Sequence, residues 1–496
     1  MSTTRTRPRP AATATRRART TSRDERIAAR AAHPSPSERE AAGQAARAAV
    51  PPEWHAAFTA APDRRDPVEV MIEQSVSRVP ELVPVRHGRM LVSPFAFFRG
   101  AAAVMAGDLA QTPDSGLEVQ VCGDAHLVNF GLFASPERRL MFDLNDFDET
   151  HPGPWEWDVK RLAASLEIAG RQNGLSAKQR RGVQLATVRR YQQAMTGFAG
   201  MRELDVWYAR ADVEELREMM AGQLKKSQLA ALDKTITKAH GRDSRRALGR
   251  LCGEVDGHHR ILADPPLIVP VSDLLPDQPR AFLDGELRTL IARYGSTLTA
   301  DRRAMLGSFD FVDLARKVVG VGSVGTRCWI ALMFGRDGDD PLFLQIKEAQ
   351  TSVVADYGGV RTGHYNHQGE RVVRGQRLMQ ATGDPFLGWE TADGIDGQRR
   401  HFYVRQLADW KGSVDVPKMV PAGLSMYGEL CGWTLARAHA RTGDRIAIAA
   451  YLGGDDPAFA EAIAAFSAAY ADQNDKDHAA LEAAVRDGRL EAVSGV

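Results

Sequence analysis

Two segments, Cys122 to Asn129 and Phe142 to Glu149, set five carboxylates and two side-chain amides beside two short apolar runs. Few folds accommodate that arrangement. The segments read Cys122-Gly-Asp124-Ala-His126-Leu-Val-Asn129 and then Phe142-Asp143-Leu-Asn145-Asp146-Phe-Asp148-Glu149. The apolar runs, Asn129 to Phe133 and Leu140 to Leu144, have the length of strands, and the turn-forming Ser135-Pro136-Glu137-Arg138 joins them. This predicts a hairpin with acidic ends. Solvated loop acids need no flanking Val, Phe and Leu, whereas a divalent cation takes hard oxygen donors held on a rigid hairpin. The competing reading has the same carboxylates capping turns at the hairpin ends.

Around this block the chain is globular in composition, with 496 residues, 44% hydrophobic and 26% charged, room for two to four structural units. No apolar run approaches the roughly 18–20 residues that span a bilayer. The four cysteines, Cys122, Cys252, Cys328 and Cys431, form no zinc-like cluster, a usage that suits a reducing cytoplasm. The net charge of +1 conceals a basic start: residues 1–50 hold eleven Arg against four acids, without Phe, Trp or Tyr. They are expected to form a disordered arm, able at most to make weak, non-specific polyanion contacts.

Order is expected from about Trp54. Ser93 to Ala110 predicts a buried helix, Glu118 to Cys122 a strand, and residues 157 to about 300 a mostly helical region with 3.6-residue apolar spacing. From about Val318 the period changes, and Val318 to Phe334 and Leu342 to Ala349 predict a Gly-rich β-hairpin, with His401 to Leu407 as a further strand. Gly428 to Arg441 and the Ala-rich segment 457–486 return to helix.

GDAHLVN resembles the catalytic loop of aminoglycoside and choline phosphotransferases, HGDxHxxN, and Asp146-Phe147-Asp148 resembles their metal-binding IDF(D/E). In phosphoryl transfer the protein mainly positions groups and balances charge. The resemblance implies Asp124 as the base, Asn129 and Asp146 as magnesium ligands, and a structural His126; Cys122 replaces the family's first His. Counting forward from Asn129 favours Asp143 as the second acid, while counting back from Gly153-Pro154 and Trp157-Asp158 favours Asp146. Asp146 is preferred, with Asp143 in reserve.

A kinase-like site also needs a loop over the nucleotide phosphates, and Gly320-Val-Gly322-Ser-Val-Gly325 is a full GxGxxG followed by a strand rather than a helix. Lys347 ends the next apolar strand, where a buried ammonium requires an anion. By the same resemblance Lys347 contacts the ATP phosphates, Glu370 or Glu348 pairs with it, and Gln406 and Leu407 border the adenine. The Gly loop follows the catalytic loop here, so the resemblance implies a circular permutation, with Tyr427 to Thr442 standing for the helix that precedes the catalytic loop in phosphotransferases.

More widely, RHGRMLVSPFAFFRG, CGDAHLVNFG, FDLNDFDE, GPWEWDVKRLAAS, KVVGVGSVGTR, FLQIKEA and LARAHARTGD together resemble the bacterial domain of unknown function 2252 family. The expected fold is α+β and bilobal. Residues 51–310 form a mostly helical large lobe, 311–410 a small antiparallel sheet lobe, and 411–496 helices that return to the large lobe. The expected activity is ATP- and magnesium-dependent phosphotransfer to a small-molecule hydroxyl. Arg86, Arg89 and Arg99 lie upstream as partners for an anion, or for Asp143, Asp148 and Glu149. The alternatives are a silent nucleotide-binding module and a metal-dependent phosphoesterase, the latter from Asp124-x-His126 and Gly363-His364-x-x-His367.

Overall fold

Helices begin where the sequence caps them. Ser176 and Gln179 exchange hydrogen bonds in a capping box that opens helix Ala177–Ala199, and prolines stand at the start of helices Pro94–Gly100 and Pro421–Ala440. The computed structural model describes residues 34–495 apart from 221–225, 256, 359–364, 408 and 413. It is an α+β protein with antiparallel sheets. Helices Trp155–Gln172, Ala177–Ala199, Pro421–Ala440 and Ala458–Arg486 form a helical body, tied together by buried aromatics: Trp155 stacks on Tyr191 at 5.6 Å and packs on Phe459 at 5.1 Å between ring centroids. Each such side chain contributes roughly 2–3 kcal/mol by leaving water.

Strand β1 (Glu118–Val121) pairs with β4 (His151–Pro154), and between them β2 (Phe130–Ala134) and β3 (Leu140–Leu144) form the expected hairpin, Phe130 opposite Leu144 and Gly131 opposite Asp143. Within the region read as helical, β5 (Ala211–Asp212) adds to β3, and β6 (Cys252–Val255) and β7 (His258–Ile261) form a second hairpin. The main sheet contains β8 (Ile268–Pro270), β9 (Asp310–Lys317), β10 (Cys328–Phe334), β11 (Pro341–Glu348), β12 (Gly388–Asp393) and β13 (Arg399–Gln406), in the order β12-β13-β11-β10-β9-β8. Alternation along β10 sends Ile330 and Leu332 to one face, Ala331 and Met333 to the other.

Three expectations are corrected. The expected single helix from Ser93 to Ala110 is two, Pro94–Gly100 and Ala102–Leu109, broken at Ala101, because the Gly100 carbonyl turns to accept a hydrogen bond from Arg86. The boundary at residue 310 falls too late: β8 joins the sheet, and Tyr294, Leu298 and Leu306 cover its outer face. Periodicity reports that a helix is amphipathic, not which surface it covers. The arm also ends earlier than expected. Pro36–Ala49 is a helix with a Ser35–Glu38 capping box, and Gly43 lies so close to helix Arg445–Leu452 that a Cβ there would stand 2.1 Å from the Ala447 carbonyl oxygen. Small residues allow that approach, so the helix docks without large apolar side chains. Residues 1–33 of the expected arm lie outside the described residues.

The chain returns to its starting body after the sheet. Helix Pro421–Ala440 lies against Ala177–Ala199, with Gly432 so near that a Cβ would sit 2.5 Å from the Thr187 carbonyl oxygen. All four cysteines are free thiols, and no helix among the described residues is long and apolar enough to cross a membrane.

Candidate active site

The loop between β1 and β2 is held by its backbone. Asp158, in the first turn of helix Trp155–Gln172, accepts hydrogen bonds from the Cys122 N–H (2.6 Å) and the Gly123 N–H (2.9 Å). His439, near the end of helix Pro421–Ala440, stands 3.2 Å from the same carboxylate and is contacted in turn by the Tyr191 hydroxyl. Gly123 has φ of +79°, and a Cβ there would fall 2.4 Å from the Glu149 carbonyl oxygen, so the loop and the acidic end of the hairpin meet only through glycine.

This scaffold sets Asp124 at the wall of a cavity of about 1030 Å³ that lies between the helical body and the sheet. Asn129, Asp146, Asp148, Glu149, Gly320 and Gly322 share that wall. Asp124 accepts from the Arg161 Nε at 2.5 Å. Burial raises its carboxyl above the ordinary range, and Arg161 only partly offsets the effect. His126 accepts the Val128 N–H on Nδ1 and is held neutral by burial and by Arg99 and Arg161, consistent with a structural part. The Asn129 amide nitrogen donates to the Asp124 carbonyl, which leaves the amide oxygen as its free acceptor.

Lys347 reaches the same place from the sheet. It is buried at the end of β11, flanked in register by Cys328 and Tyr403, and its Nζ lies 2.5 Å from Asp148 Oδ2 and 3.9 Å from Asp146 Oδ1. Burial pulls against its charge, but the two aspartates outweigh that and hold the ammonium well above its usual range. Asp148 also accepts from the Tyr403 hydroxyl at 2.6 Å; although burial raises it, Lys347 brings it below the ordinary range. Asp146, raised by burial and by Asp148, keeps a side chain 31% exposed to the cavity.

The glycine loop joins β9 to β10, and Gly320 and Gly325 take positive φ values of +65° and +86°. Its carbonyls are held from below: Arg78 donates to those of Gly322 and Val324, and Arg89 to that of Gly320. Gly325 packs on the Arg78 side chain, while Ser323 Oγ lies 3.4 Å from Asp148.

Asp124, Asn129, Asp146 and Asp148 give the cavity wall oxygen donors of the kind a hard divalent cation takes. Among the described residues no group of three or more His, Cys, Asp or Glu is arranged as a metal cage. Magnesium is commonly held by one or two protein oxygens together with substrate phosphates and water, and the Asp146 carboxylate and Asn129 amide oxygen match that need.

The family described as an uncharacterized protein conserved in bacteria (DUF2252) matches residues 78–484. The chain belongs to the DUF2252 family. No curated protein and no solved structure matches it. The DUF2252 match takes in the Asp124 loop, the acidic hairpin, the glycine loop and Lys347, and leaves out helix Pro36–Ala49.

Several expected site residues of this DUF2252 chain stand elsewhere. Asp143 is buried away from the cavity: it pairs with Arg437 and accepts the Leu144 and Ala381 N–H groups, so both of its oxygens are engaged in the core. Glu370 pairs with Arg374, and Glu348 with Arg327 and Arg400; neither meets Lys347, whose partners are Asp146 and Asp148. Gln406 and Leu407 do not line the cavity, and their N–H groups are taken by the Asp384 carboxylate and the Phe343 carbonyl. Among the described residues Arg86 and Arg99 form no ion pair with Asp143, Asp148 or Glu149, and Arg89 donates to the Gly320 carbonyl. For the phosphoesterase reading, Gly363 and His364 lie outside the described residues, while His367 spends one ring nitrogen on the Glu370 N–H and the other on the Thr391 hydroxyl.

Asp148 and Arg161 were missed as site residues. Both had a signal: Asp148 is two residues from Asp146 in the same acidic run, and Arg161 is one helical turn beyond Asp158.

Proposed function

We propose that this protein is an ATP- and magnesium-dependent phosphotransferase with a circularly permuted, two-lobed kinase-like fold, acting on a small-molecule hydroxyl acceptor. The observation that carries this reading is the meeting of Lys347 with Asp146 and Asp148 on one side of a cavity whose other walls are the glycine loop and the Asp124–Asn129 loop. A cation for an anionic phosphate donor, oxygens of the kind that bind metal and the Asp124 carboxylate meeting around one cavity support this reading.

In this mechanism Gly320, Gly322 and Gly325 let the loop backbone approach the phosphates, and Lys347 offers its ammonium to them. Asp146 and Asn129 would hold a magnesium ion, whose chemistry would be to balance the charge of the phosphate oxygens. Asp124 orients the acceptor hydroxyl and receives its proton; its raised carboxyl is suited to that exchange. Asp158 and His439 keep the loop in place. The antiparallel sheet and the return of helix Pro421–Ala440 to the helical body support the permuted arrangement.

One observation favours a second reading, a nucleotide-binding module without transfer: Asp124 is already paired with Arg161, which opposes its action as a base. Calorimetry with a non-hydrolysable ATP analogue, with and without magnesium, and phosphate transfer to pooled hydroxyl compounds separate the two. The phosphotransferase reading expects magnesium-dependent binding, with Asp124→Ala losing transfer but retaining nucleotide and Asp146→Ala losing the magnesium dependence. Binding without transfer supports the module, and absence of nucleotide binding rejects both.

A further inference from the structure

Buried arginines in this protein usually have partners. Arg437 has Asp143, Arg161 has Asp124, and Arg371 donates to the carbonyls of Asp148, Thr150 and Gln350. Three arginines on one side of the cavity, Arg78 and Arg86 buried and Arg99 half-buried, depart from that pattern. Arg99 lines the cavity, where it feels Asp124 and Asp146, yet among the described residues it forms no ion pair and its buried Nε has no hydrogen-bond partner. Arg78 spends one nitrogen on two loop carbonyls and leaves Nε without a partner. Arg86, fully buried behind them, donates from one nitrogen to Gln74 and the Gly100 carbonyl, while its Nε and Nη1 have none.

A guanidinium kept from water without a counter-ion is costly. The acids across the cavity do not meet that cost by direct pairing: Asp124 pairs with Arg161, Asp148 with Lys347, Asp146 stands 3.9 Å from the same ammonium, and Glu149 accepts the Val353 N–H, with burial pushing its carboxyl up to about 7. The arginine wall also abuts the glycine loop, where a Cβ on Gly322 would lie 3.1 Å from the Arg99 carbonyl oxygen.

We propose that Arg99, backed by Arg78 and Arg86, forms a subsite for a phosphate-class dianion. A planar guanidinium fork matches phosphate oxygens in pairs, and three guanidinium groups without an ion-pair partner among the described residues favour a dianion over a single carboxylate. The inference deepens the phosphotransferase reading and rests on it only for the carrier of the phosphate, either the nucleotide's terminal group or one already on the acceptor.

The test is calorimetric titration of the full chain with inorganic phosphate near neutral pH, with acetate as comparator, alone and with a saturating non-hydrolysable ATP analogue and magnesium. Phosphate should bind about tenfold or more tightly than acetate. Arg99→Gln should weaken phosphate by about tenfold or more at an unchanged melting temperature, and Arg99→Lys, which keeps the charge and loses the fork, by less. If Arg99→Gln melts early, Arg99→Lys carries the comparison. Undetectable phosphate binding, equal binding of acetate, or wild-type affinity in a folded Arg99 variant overturns the proposal. Displacement of phosphate by the analogue assigns the subsite to the donor, and simultaneous binding assigns it to the acceptor. Arg99-dependent phosphate binding in a chain that ignores the analogue keeps the subsite and rejects the nucleotide reading.

Discussion

Lys347 and Asp148, 199 residues apart in the chain, meet at 2.5 Å across the boundary between the sheet and the acidic hairpin. Neither is placed by its own element alone. β11 sets the lysine by its register between β10 and β13, and the chain following β3 sets the aspartate. The pair ties the two halves of the cavity together.

Lys347→Met should remove that tie and leave Asp148 facing the cavity with only Tyr403 and Ser323. Breaking a fully buried ion pair costs ~3–5 kcal/mol, and the partial exposure of Asp148 reduces this to roughly 2–3 kcal/mol. Urea unfolding measures it. Adding Asp148→Asn to Lys347→Met should recover much of the loss, whereas additive losses from the two substitutions would show that the pair does not couple the halves.

Asp143 and Asp146 should respond in opposite ways. Asp143→Ala strands Arg437 in the core and should lower stability by ~3–5 kcal/mol, with magnesium-dependent nucleotide binding per folded molecule unchanged. Asp146→Asn should leave the unfolding midpoint nearly where it was and abolish the magnesium dependence. Denaturant curves paired with calorimetry read both; the reverse pattern would restore Asp143 as the ligand.

Glu156 gives the fold a pH dependence away from the cavity. It is fully buried, one oxygen accepts the Ser115 N–H, and the other has no hydrogen-bond partner among the described residues. Burial pushes its carboxyl up to about 7, against 4.5 ordinarily. Between those values the unfolded chain has lost a proton that the folded chain keeps, so stability falls as pH rises through this window, by on the order of 2–3 kcal/mol. Glu156→Gln should flatten the slope between about pH 4.5 and 7 and stabilise the protein above it. Melting temperatures across a pH series check this, and an unchanged slope would reject it.

Truncation should separate the basic terminus from the helix that follows it. Removing residues 1–33, which hold nine of the eleven N-terminal arginines, should leave the melting temperature unchanged and abolish any salt-dependent polyanion binding. Removing residues 1–50 also strips helix Pro36–Ala49 from helix Arg445–Leu452 and should lower it by several degrees. Gly43→Val in the full chain should reproduce that loss through the clash with the Ala447 backbone.

Sequence alone determined the local elements and the chemistry they carry. Alternating and continuous apolar runs located β2, β3, β10, β11 and β13, because strand and helix periods are properties of neighbouring residues. The Asp124 loop, Asp146, the glycine loop and Lys347 were legible because each lies in a short contiguous pattern. Tertiary structure decided the partners. Whether Asp143 or Asp146 faced the cavity depended on Arg437 arriving from a helix almost three hundred residues later. Whether Glu370 met Lys347 depended on the seating of its helix, and Gln406 and Leu407 lost their N–H groups to Asp384 and Phe343 from other segments. Helix Pro36–Ala49 was hidden for the same reason, since its stability comes from close approach to a surface formed at the other end of the chain. Ion pairs and backbone contacts act over a few ångströms in space, and chain order does not encode which distant groups share that space.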